Sequence, residues 1–186
     1  MDFNTNRFFL QFPKLDLGNV LLRKISIEDV EDFYEYITDK ELVKFLSDSE
    51  IPSSLESAKL ELMYWASLYE KKRSIYWAIA DKNNGKLIGT CGFNSWSREH
   101  HRAEISYDLS RKYWNSGIMT KVVSAITAFA FNVMDVKRIQ ATIVTFNSAS
   151  VRVLEKCDYH QEGVLKNFGI LHGKQEDFYM HSIIRE

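Results

Sequence analysis

The stretch over 103–131 changes its hydrophobic period once, and this change constrains the fold more than any other feature of the sequence. Over 103–109 apolar and polar residues alternate, which is typical of a β-strand. After Gly117 the apolar residues recur at helical spacing to about Val133. The sequence therefore predicts a strand, a loop over 110–116 and an amphipathic helix that begins just after a glycine.

The junction at the end of this loop is suited to an anion. The first N–H groups of a helix have no partner inside the helix, and they carry the positive end of the helix dipole. Gly117 leaves room for a phosphate close to the backbone, and Asn115 tolerates the left-handed backbone angles that a tight loop needs. An ordinary turn that Gly117 merely closes gives the same pattern, since neither a Walker loop nor a G-x-G-x-x-G motif occurs.

Periodicity and turn signals organise the rest of the chain. Strands are predicted over 20–25, 75–80, 87–93, 138–146, 165–168 and 178–184. Helices are predicted from Ser26, from Ser53 and over 149–156. The apolar face of the helix after Ser53 is assigned to Leu60, Met63, Tyr64 and Leu68. No linker or repeat interrupts the pattern, so we predict one mixed α/β domain over 1–186.

Composition and charge argue against several classes of function. The net charge is −1, so no basic field for nucleic acid is expected. No apolar run reaches the ~18 residues of a membrane span, and residues 1–10 lack the pattern of a signal peptide, so the cytoplasm is the expected location. Cys91 and Cys157 stand far apart and the five histidines lack metal-ligand spacing, so we predict no metal site and solvated histidines.

Two motifs carry a resemblance to a known family. The first is AEISYDL-SRKYW-NSGIMTK over 103–121, and the second is NSASVRVLEKCDYHQEGVL over 147–165. They resemble the GNAT acetyltransferases, in particular the ribosomal-protein N-terminal acetyltransferases of the RimJ/RimL type. LLRKISIEDVEDFYEYI and the hairpin KLIGTCGF fit as well, so the resemblance covers nearly the whole chain. The sequence departs from the common pattern at Trp114 and Met119 in the loop, and at Asp158, where glycine is usual.

The resemblance implies a fold and a donor, acetyl-CoA. The fold is a mostly antiparallel sheet of about seven strands that splays beside residues 107–109 and is flanked by helices. The loop amides are implied to hold the pyrophosphate, the free strand edge to bond the pantetheine arm, and Asn147 to orient that arm. The implied acetyl-CoA residues are Tyr107, Leu109, Trp114, Asn115, Ser116, Gly117, Ile118, Met119, Thr120 and Asn147.

Three residues are candidates for proton transfer. Glu104 lies on the polar face of the strand beside the donor and is the candidate base; the alternative is a solvated or salt-bridged glutamate. Ser150, the serine of the N-x-x-S motif, is the candidate for the leaving thiolate, with Tyr159 as the alternative. A purely structural Ser150 would satisfy a backbone N–H in the first turn of its helix.

Other groups are candidates for stabilising charge. The resemblance implies that the backbone N–H near Leu109 donates to the thioester oxygen as that oxygen gains charge. Arg111, Lys112 and Lys121 flank the loop. These side chains either form charge-assisted hydrogen bonds with the CoA phosphates or are ordinary solvated charges of a surface loop. For Lys112 we favour the second interpretation.

The acceptor is expected to be a primary amine, with a protein N-terminus preferred and a ribosomal protein as its source. An α-amine has a pKa of ~7.7–8.0 and loses its proton more easily than a lysine amine near ~10.4. A polyamine, an amino sugar or an antibiotic is the alternative, and the acidic run over 28–35 would supply carboxylates for a polyamine. A non-catalytic CoA-binding module is a third reading, and a homodimer is left open.

Overall fold

Residues 8–185 are described by the computed structural model, and they form an eight-stranded sheet with helices on both faces. The strands are β1 (Leu15–Asp16), β2 (Val20–Arg23), β3 (Tyr76–Asp81), β4 (Leu87–Ser97), β5 (Arg102–Leu109), β6 (Arg138–Val144), β7 (His160–Leu171) and β8 (Lys174–Ile184). The α-helices are α1 (Val30–Ile37), α2 (Lys40–Val43), α3 (Leu55–Glu70), α4 (Ile118–Val133) and α5 (Ser148–Glu155). Short 3-10 turns lie at Phe8–Leu10, Ile27–Asp29, Asp48–Glu50 and Arg111–Tyr113.

The sheet opens on one side of β5. Its order is β1-β2-β3-β4-β5-β6-β8-β7, and neighbouring strands are antiparallel except for β5 and β6. These two are parallel and pair only between 102–104 and 138–140, although β5 continues to Leu109 and β6 to Val144. The strands therefore part beyond Glu104, and their facing edges are left without sheet partners there. This confirms the predicted mostly antiparallel, splayed α/β sheet.

The sheet separates two hydrophobic cores. β3 is buried along its whole length, as expected for a strand covered on both faces. Trp77 and Ile79 join the larger core beneath α4, whereas Tyr76 and Ala78 join the smaller core beneath α1 and α3. Helices on both faces thus hold β4 and β5 rigidly next to the gap.

The apolar face predicted for α3 is wrong. Of its four predicted residues only Leu68 is buried; the exposed fractions of the others are 64%, 43% and 57% for Leu60, Met63 and Tyr64. The helix instead turns inward a row of residues four apart, Ala58, Leu62 and Ala66. Alanine side chains let α3 approach α1 and the sheet closely, so small residues face the core and larger ones face outward.

Other details also differ from expectation. The sheet has eight strands rather than about seven because β1 adds two residues beside β2, too few to show an alternation. The β7–β8 hairpin is longer than the two predicted segments, since irregularities in its register break the period of two. His181 is 1% exposed and therefore not solvated. Within residues 8–185, no helix is both long and apolar enough to cross a bilayer. Residues 1–7, for which no signal peptide was predicted, lie outside the described part of the chain.

Candidate functional site

A cavity of about 760 Å³ lies where β5 and β6 part. Its walls come from both strands, the loop before α4, the start of α5, α3 with the 48–50 turn, and the β7–β8 hairpin. All the predicted site residues line it, namely Glu104, Tyr107, Leu109, Trp114, Asn115, Ser116, Gly117, Ile118, Met119, Thr120, Asn147 and Ser150. The splayed strands therefore bring the two sequence motifs to one place.

The loop end of the cavity presents free backbone N–H groups. Asn115 adopts the left-handed conformation predicted for it, with φ at 57°, and Gly117 does the same with φ at 77°. Among the described residues, the N–H groups of Met119 and Thr120 have no hydrogen-bond partner, and that of Ile118 has only the Ser116 hydroxyl at 3.5 Å. These donors lie at the positive end of α4, which is suited to phosphate oxygens.

The loop is tied to the strand that precedes it. Trp114 Nε1 donates to the Leu109 carbonyl over 2.8 Å. On the other side of the strand, the Ser110 N–H donates to the Ile88 carbonyl over 2.7 Å. Because N–H groups alternate in direction along a strand, the Leu109 N–H points away from β4 and toward the gap. A backbone donor is therefore fixed at the wall of the cavity.

The basic residues in the cavity are not those that the sequence singled out. Arg111, Lys112 and Lys121 do not line it, and Lys112 instead pairs with Glu35 at 2.7 Å. The lining contains Arg152 and Lys156. These two stand four residues apart and share one face of α5, a spacing that is visible in the sequence. The cavity is therefore lined by positive side chains as well as by the free backbone N–H groups of the loop.

Ser150 reaches the cavity with its hydroxyl unoccupied. Asn147 Oδ1 accepts the Ser150 N–H over 3.1 Å and thereby caps the N-terminus of α5. The Ser150 hydroxyl is therefore not the group that caps this helix. No described residue forms a hydrogen bond with Ser150 Oγ. The Tyr107 hydroxyl donates to the Ser150 carbonyl over 3.3 Å, and burial raises the pKa of Tyr107, which keeps it a donor. This bond fixes α5 against β5 across the gap.

Tyr159 lies in the core rather than in the cavity. It is 2% exposed, and its hydroxyl is 2.7 Å from Thr127 Oγ1 on α4. Burial raises its pKa. The preceding residue, Asp158, keeps a left-handed turn with φ at 62°. Tyr159 therefore packs, and Ser150 is left as the candidate beside the sulfur.

Glu104 stands at the point where β5 and β6 part. Its carboxylate is 3.3 Å from Thr142 Oγ1 and 3.5 Å from Gln140 Nε2, both on β6. These long contacts hold the half-buried side chain toward β6. A carboxylate there can receive a proton from a bound group, directly or through one water.

Asp108, on the same face of β5, belongs to a hydrogen-bond network. Its carboxyl accepts the Tyr36 hydroxyl over 2.6 Å, the Thr90 N–H over 3.0 Å and the Thr90 hydroxyl over 2.6 Å. Burial raises the pKa of Asp108, although these bonds act in the opposite direction. The network joins α1 to β4 and β5 below the cavity. The alternation of apolar and polar residues in the sequence predicted the polar face of β5. It did not predict that α1 covers Asp108 on that face.

The wall of the cavity that α3 provides is acidic and aromatic. Glu61 and Trp65 of α3 line it together with Glu50. Trp65 stacks on Tyr76 with ring centroids 5.1 Å apart and planes within 8°. Burial, together with Asp108 and Glu50, raises the pKa of Glu61 to about 7. The sequence reading missed Glu61 and Trp65 because it assigned α3 the wrong inward face.

The acidic run over 28–35 lies outside the cavity. Asp29 pairs with Arg23 at 2.6 Å, and Glu35 pairs with Lys112. The carboxylates that do converge in the cavity are Glu50, Glu61, Glu104 and Asp108. In the part of the chain that is described, no cluster of histidine, cysteine, aspartate or glutamate is suited to a metal ion.

Comparisons with known proteins agree with this geometry. The acetyltransferase (GNAT) domain family matches residues 19–160. The uncharacterized N-acetyltransferase YoaA of Bacillus subtilis (strain 168) is 32% identical over 174 residues, 94% of this chain and 98% of the relative.

Two solved structures share the fold. The ribosomal L7/L12 α-N-protein acetyltransferase RimL, in complex with coenzyme A, gives a TM-score of 0.84 at 20% identity over 92% of this chain and 98% of that one. The microcin C7 self-immunity acetyltransferase MccE, in complex with acetyl-CoA and AMP, gives 0.81 at 20% identity over 90% and 93%.

Proposed function

The chain belongs to the acetyltransferase (GNAT) domain family, and on that premise we propose that it moves the acetyl group of acetyl-CoA directly onto the α-amine of a protein N-terminus. The observation that carries the proposal is the gap between β5 and β6, which opens a cavity lined both by free backbone amides and by carboxylates. The proposal takes the enzyme to be cytoplasmic, of the RimJ/RimL type, with one domain over 1–186 and a ribosomal protein as acceptor.

The loop end fits the phosphates of acetyl-CoA. The N–H groups at 118–120 would hold the pyrophosphate, with Arg152 and Lys156 adding positive charge. The free edge of β5 at Tyr107 and Leu109 would bond the pantetheine amides, as an added strand would. Acetyl-CoA supplies an acetyl group already activated as a thioester.

Three groups of this chain would act on the reaction. The Leu109 N–H would donate to the thioester oxygen, and one such donor is worth about 3 kcal/mol in a transition state. The Ser150 hydroxyl would meet the departing sulfur, since no protein group occupies it. Glu104 would receive or relay the proton of the amine at the apex of the gap.

An α-amine acceptor is favoured over a lysine or polyamine amine for two reasons. A pKa of ~7.7–8.0 leaves a sizeable fraction of α-amine unprotonated at neutral pH, whereas a pKa near ~10.4 does not. The fold is shared with an enzyme named as an α-N-protein acetyltransferase.

The four carboxylates of the cavity favour the second candidate, a small polycationic amine, because they would attract its charges.

A thiol-release assay with three acceptors tests the proposal. The first is a short lysine-free peptide with a free N-terminus, the second is the same peptide blocked at its N-terminus and carrying one lysine, and the third is a linear polyamine. We expect turnover with the first peptide and little with the blocked one, with the acetyl group located on the α-nitrogen by mass spectrometry.

The other outcomes decide between the alternatives. Turnover of the polyamine alone would replace the N-terminal acceptor by the small amine. Calorimetric binding of acetyl-CoA without turnover of any amine would favour a CoA-binding module. Light scattering of the same preparation measures whether the enzyme is a homodimer.

A further inference from the structure

Glu61 is a carboxyl group without a partner in the wall of the cavity that α3 provides. It is half-buried on α3, and no residue within 8–185 forms a hydrogen bond or an ion pair with it. Its nearest charged neighbours have the same sign, since Asp108 and Glu50 both disfavour its ionisation. A charge that is held away from water among like charges is costly unless a ligand supplies the opposite charge.

The other three carboxylates of the cavity differ from Glu61 because each is already engaged. Glu50 accepts the Ser47 N–H and hydroxyl, both at 2.7 Å. Asp108 accepts three bonds from Tyr36 and Thr90, and Glu104 is in contact with Thr142 and Gln140. Glu61 is therefore the carboxylate of this set whose oxygens are free for a bound acceptor.

We infer that Glu61 is a further catalytic residue, which binds the ammonium group of the acceptor and takes its proton before the amine attacks. This inference rests on the proposed acetyl transfer to an amine. Trp65 supports it, because it lies four residues from Glu61 on the same side of α3 and presents its indole to the cavity beside that carboxylate. An aromatic face next to a carboxylate is a favourable surface for an ammonium ion.

The step balances in protons and electron pairs. The acceptor ammonium gives one proton to the Glu61 carboxylate, and the nitrogen then uses its freed electron pair to form a C–N bond with the acetyl carbon. The C–S bond breaks with its electron pair on sulfur. The second proton lost by the nitrogen is relayed by Glu104 to that sulfur, so the products are the amide, the free thiol and a protonated Glu61 that releases its proton to water.

The environment of Glu61 also selects among amines. The titratable groups that face it are Asp108, Glu50 and Tyr36; Glu104 also lines the cavity, and Tyr76 stacks behind Trp65. With these neighbours its pKa of about 7 lies within roughly one pH unit of an α-amine at ~7.7–8.0 and more than three below a lysine amine at ~10.4. The free energy of proton transfer to Glu61 is therefore close to zero for an N-terminal ammonium and strongly unfavourable for a lysine ammonium. Glu61 favours the α-amine as acceptor for this reason.

Glu61→Gln tests this role through the pH profile of kcat/KM. With the free-N-terminus peptide we expect the wild type to lose activity as pH falls through about 7, because Glu61 becomes protonated. In the variant the acid limb near 7 should be replaced by one at the pKa of the free α-amine, ~7.7–8.0, and kcat/KM at pH 7.5 should fall roughly 100-fold, the loss typical of a removed general base. The Kd for acetyl-CoA should stay at the wild-type value, since Glu61 is on α3 and is none of the groups proposed to bind acetyl-CoA.

Glu56→Gln is the matched control, because Glu56 is exposed on the first turn of the same helix and lies outside the cavity. A Glu61→Gln variant that keeps both the acid limb and wild-type kcat/KM, with the control unchanged, overturns the role of Glu61 alone. A wild type that turns over no amine overturns the proposed function and this inference together. Glu61→Asp should restore part of kcat/KM and move the acid limb back below the pKa of the free α-amine, and an Asp variant as inactive as the Gln variant, with its limb at the amine pKa, would also count against a proton acceptor.

Discussion

The free carboxyl of Glu61 makes a prediction for stability that does not depend on turnover. Its pKa is raised from 4.5 to about 7 in the folded chain, chiefly by burial and then by Asp108 and Glu50. A carboxyl whose folded pKa is raised contributes its full stability below pH 4.5 and loses it as pH rises through 7, because the unfolded chain ionises more easily. The wild type should therefore lose stability between these two pH values relative to Glu61→Gln.

The size of this effect follows from the same interval. Each pH unit is worth ~1.36 kcal/mol, so a group shielded completely from water would lose about 3.4 kcal/mol. Glu61 is only half-buried, and solvent screening reduces the expected loss to about 1–2 kcal/mol. For a domain of this length, that difference raises the Tm of Glu61→Gln by about 2–8 °C at pH 8.

Urea unfolding at a series of pH values from 4 to 8 measures the prediction directly. The free energy of unfolding of Glu61→Gln should exceed that of the wild type at pH 8, and the difference should close toward pH 4. Glu56→Gln should behave differently: it removes a charge from the favourable first turn of α3, so it should cost about 0.3–1 kcal/mol at pH 8. A pH-independent difference for Glu61→Gln, or a loss of stability at pH 8, would refute the reasoning.

Three further predictions concern the walls of the cavity. Tyr36→Phe removes a 2.6 Å bond to the buried Asp108 carboxyl and should lower the free energy of unfolding by about 1–3 kcal/mol, while Tyr34→Phe on the same helix should change it by less than about 0.5 kcal/mol in urea unfolding. Ser150→Ala should lower kcat roughly 10-fold or more with little change in the Kd for acetyl-CoA; unchanged kcat and Kd would make Ser150 structural. Gly117→Val should weaken the binding of acetyl-CoA at least 10-fold in calorimetry. The φ of 77° at this position disfavours a β-branched residue, and the valine side chain would point into the open space proposed for the phosphates. Unchanged binding by a folded variant would show that the loop does not belong to the site.

The sequence predicted the strand, loop and helix start that line one wall of the cavity, because this wall is encoded locally. The alternation of β5, the left-handed Asn115 and Gly117, and the start of α4 all lie within one short stretch. Turn chemistry and helix starts depend on neighbours in the chain, so such a stretch can be interpreted without knowing the rest of the fold. The same holds for Asn147, because its side chain caps α5 through a hydrogen bond to a residue only three positions along the chain.

The inward face of α3 could not be predicted in this way. Leu60, Met63 and Tyr64 follow helical spacing as well as the buried row does, because this helix carries apolar residues on more than one side. Periodicity identifies a helix, but which face is buried depends on how close the neighbouring layer lies. Here α1 and the sheet leave room only for alanines at Ala58 and Ala66.

The acceptor side escaped the sequence for a related reason. Its groups come from the 48–50 turn, from Glu61 and Trp65 on α3 and from β5. More than thirty residues separate α3 from β5 along the chain, so these groups meet only in the fold. On the proposed function, a local motif can therefore fix the binding of acetyl-CoA while the wall proposed for the acceptor changes independently, one segment at a time. Substitutions in α3 should therefore alter which amine is used without weakening the binding of acetyl-CoA. In particular, replacing Glu61 should change the ratio of kcat/KM between an N-terminal peptide and a polyamine.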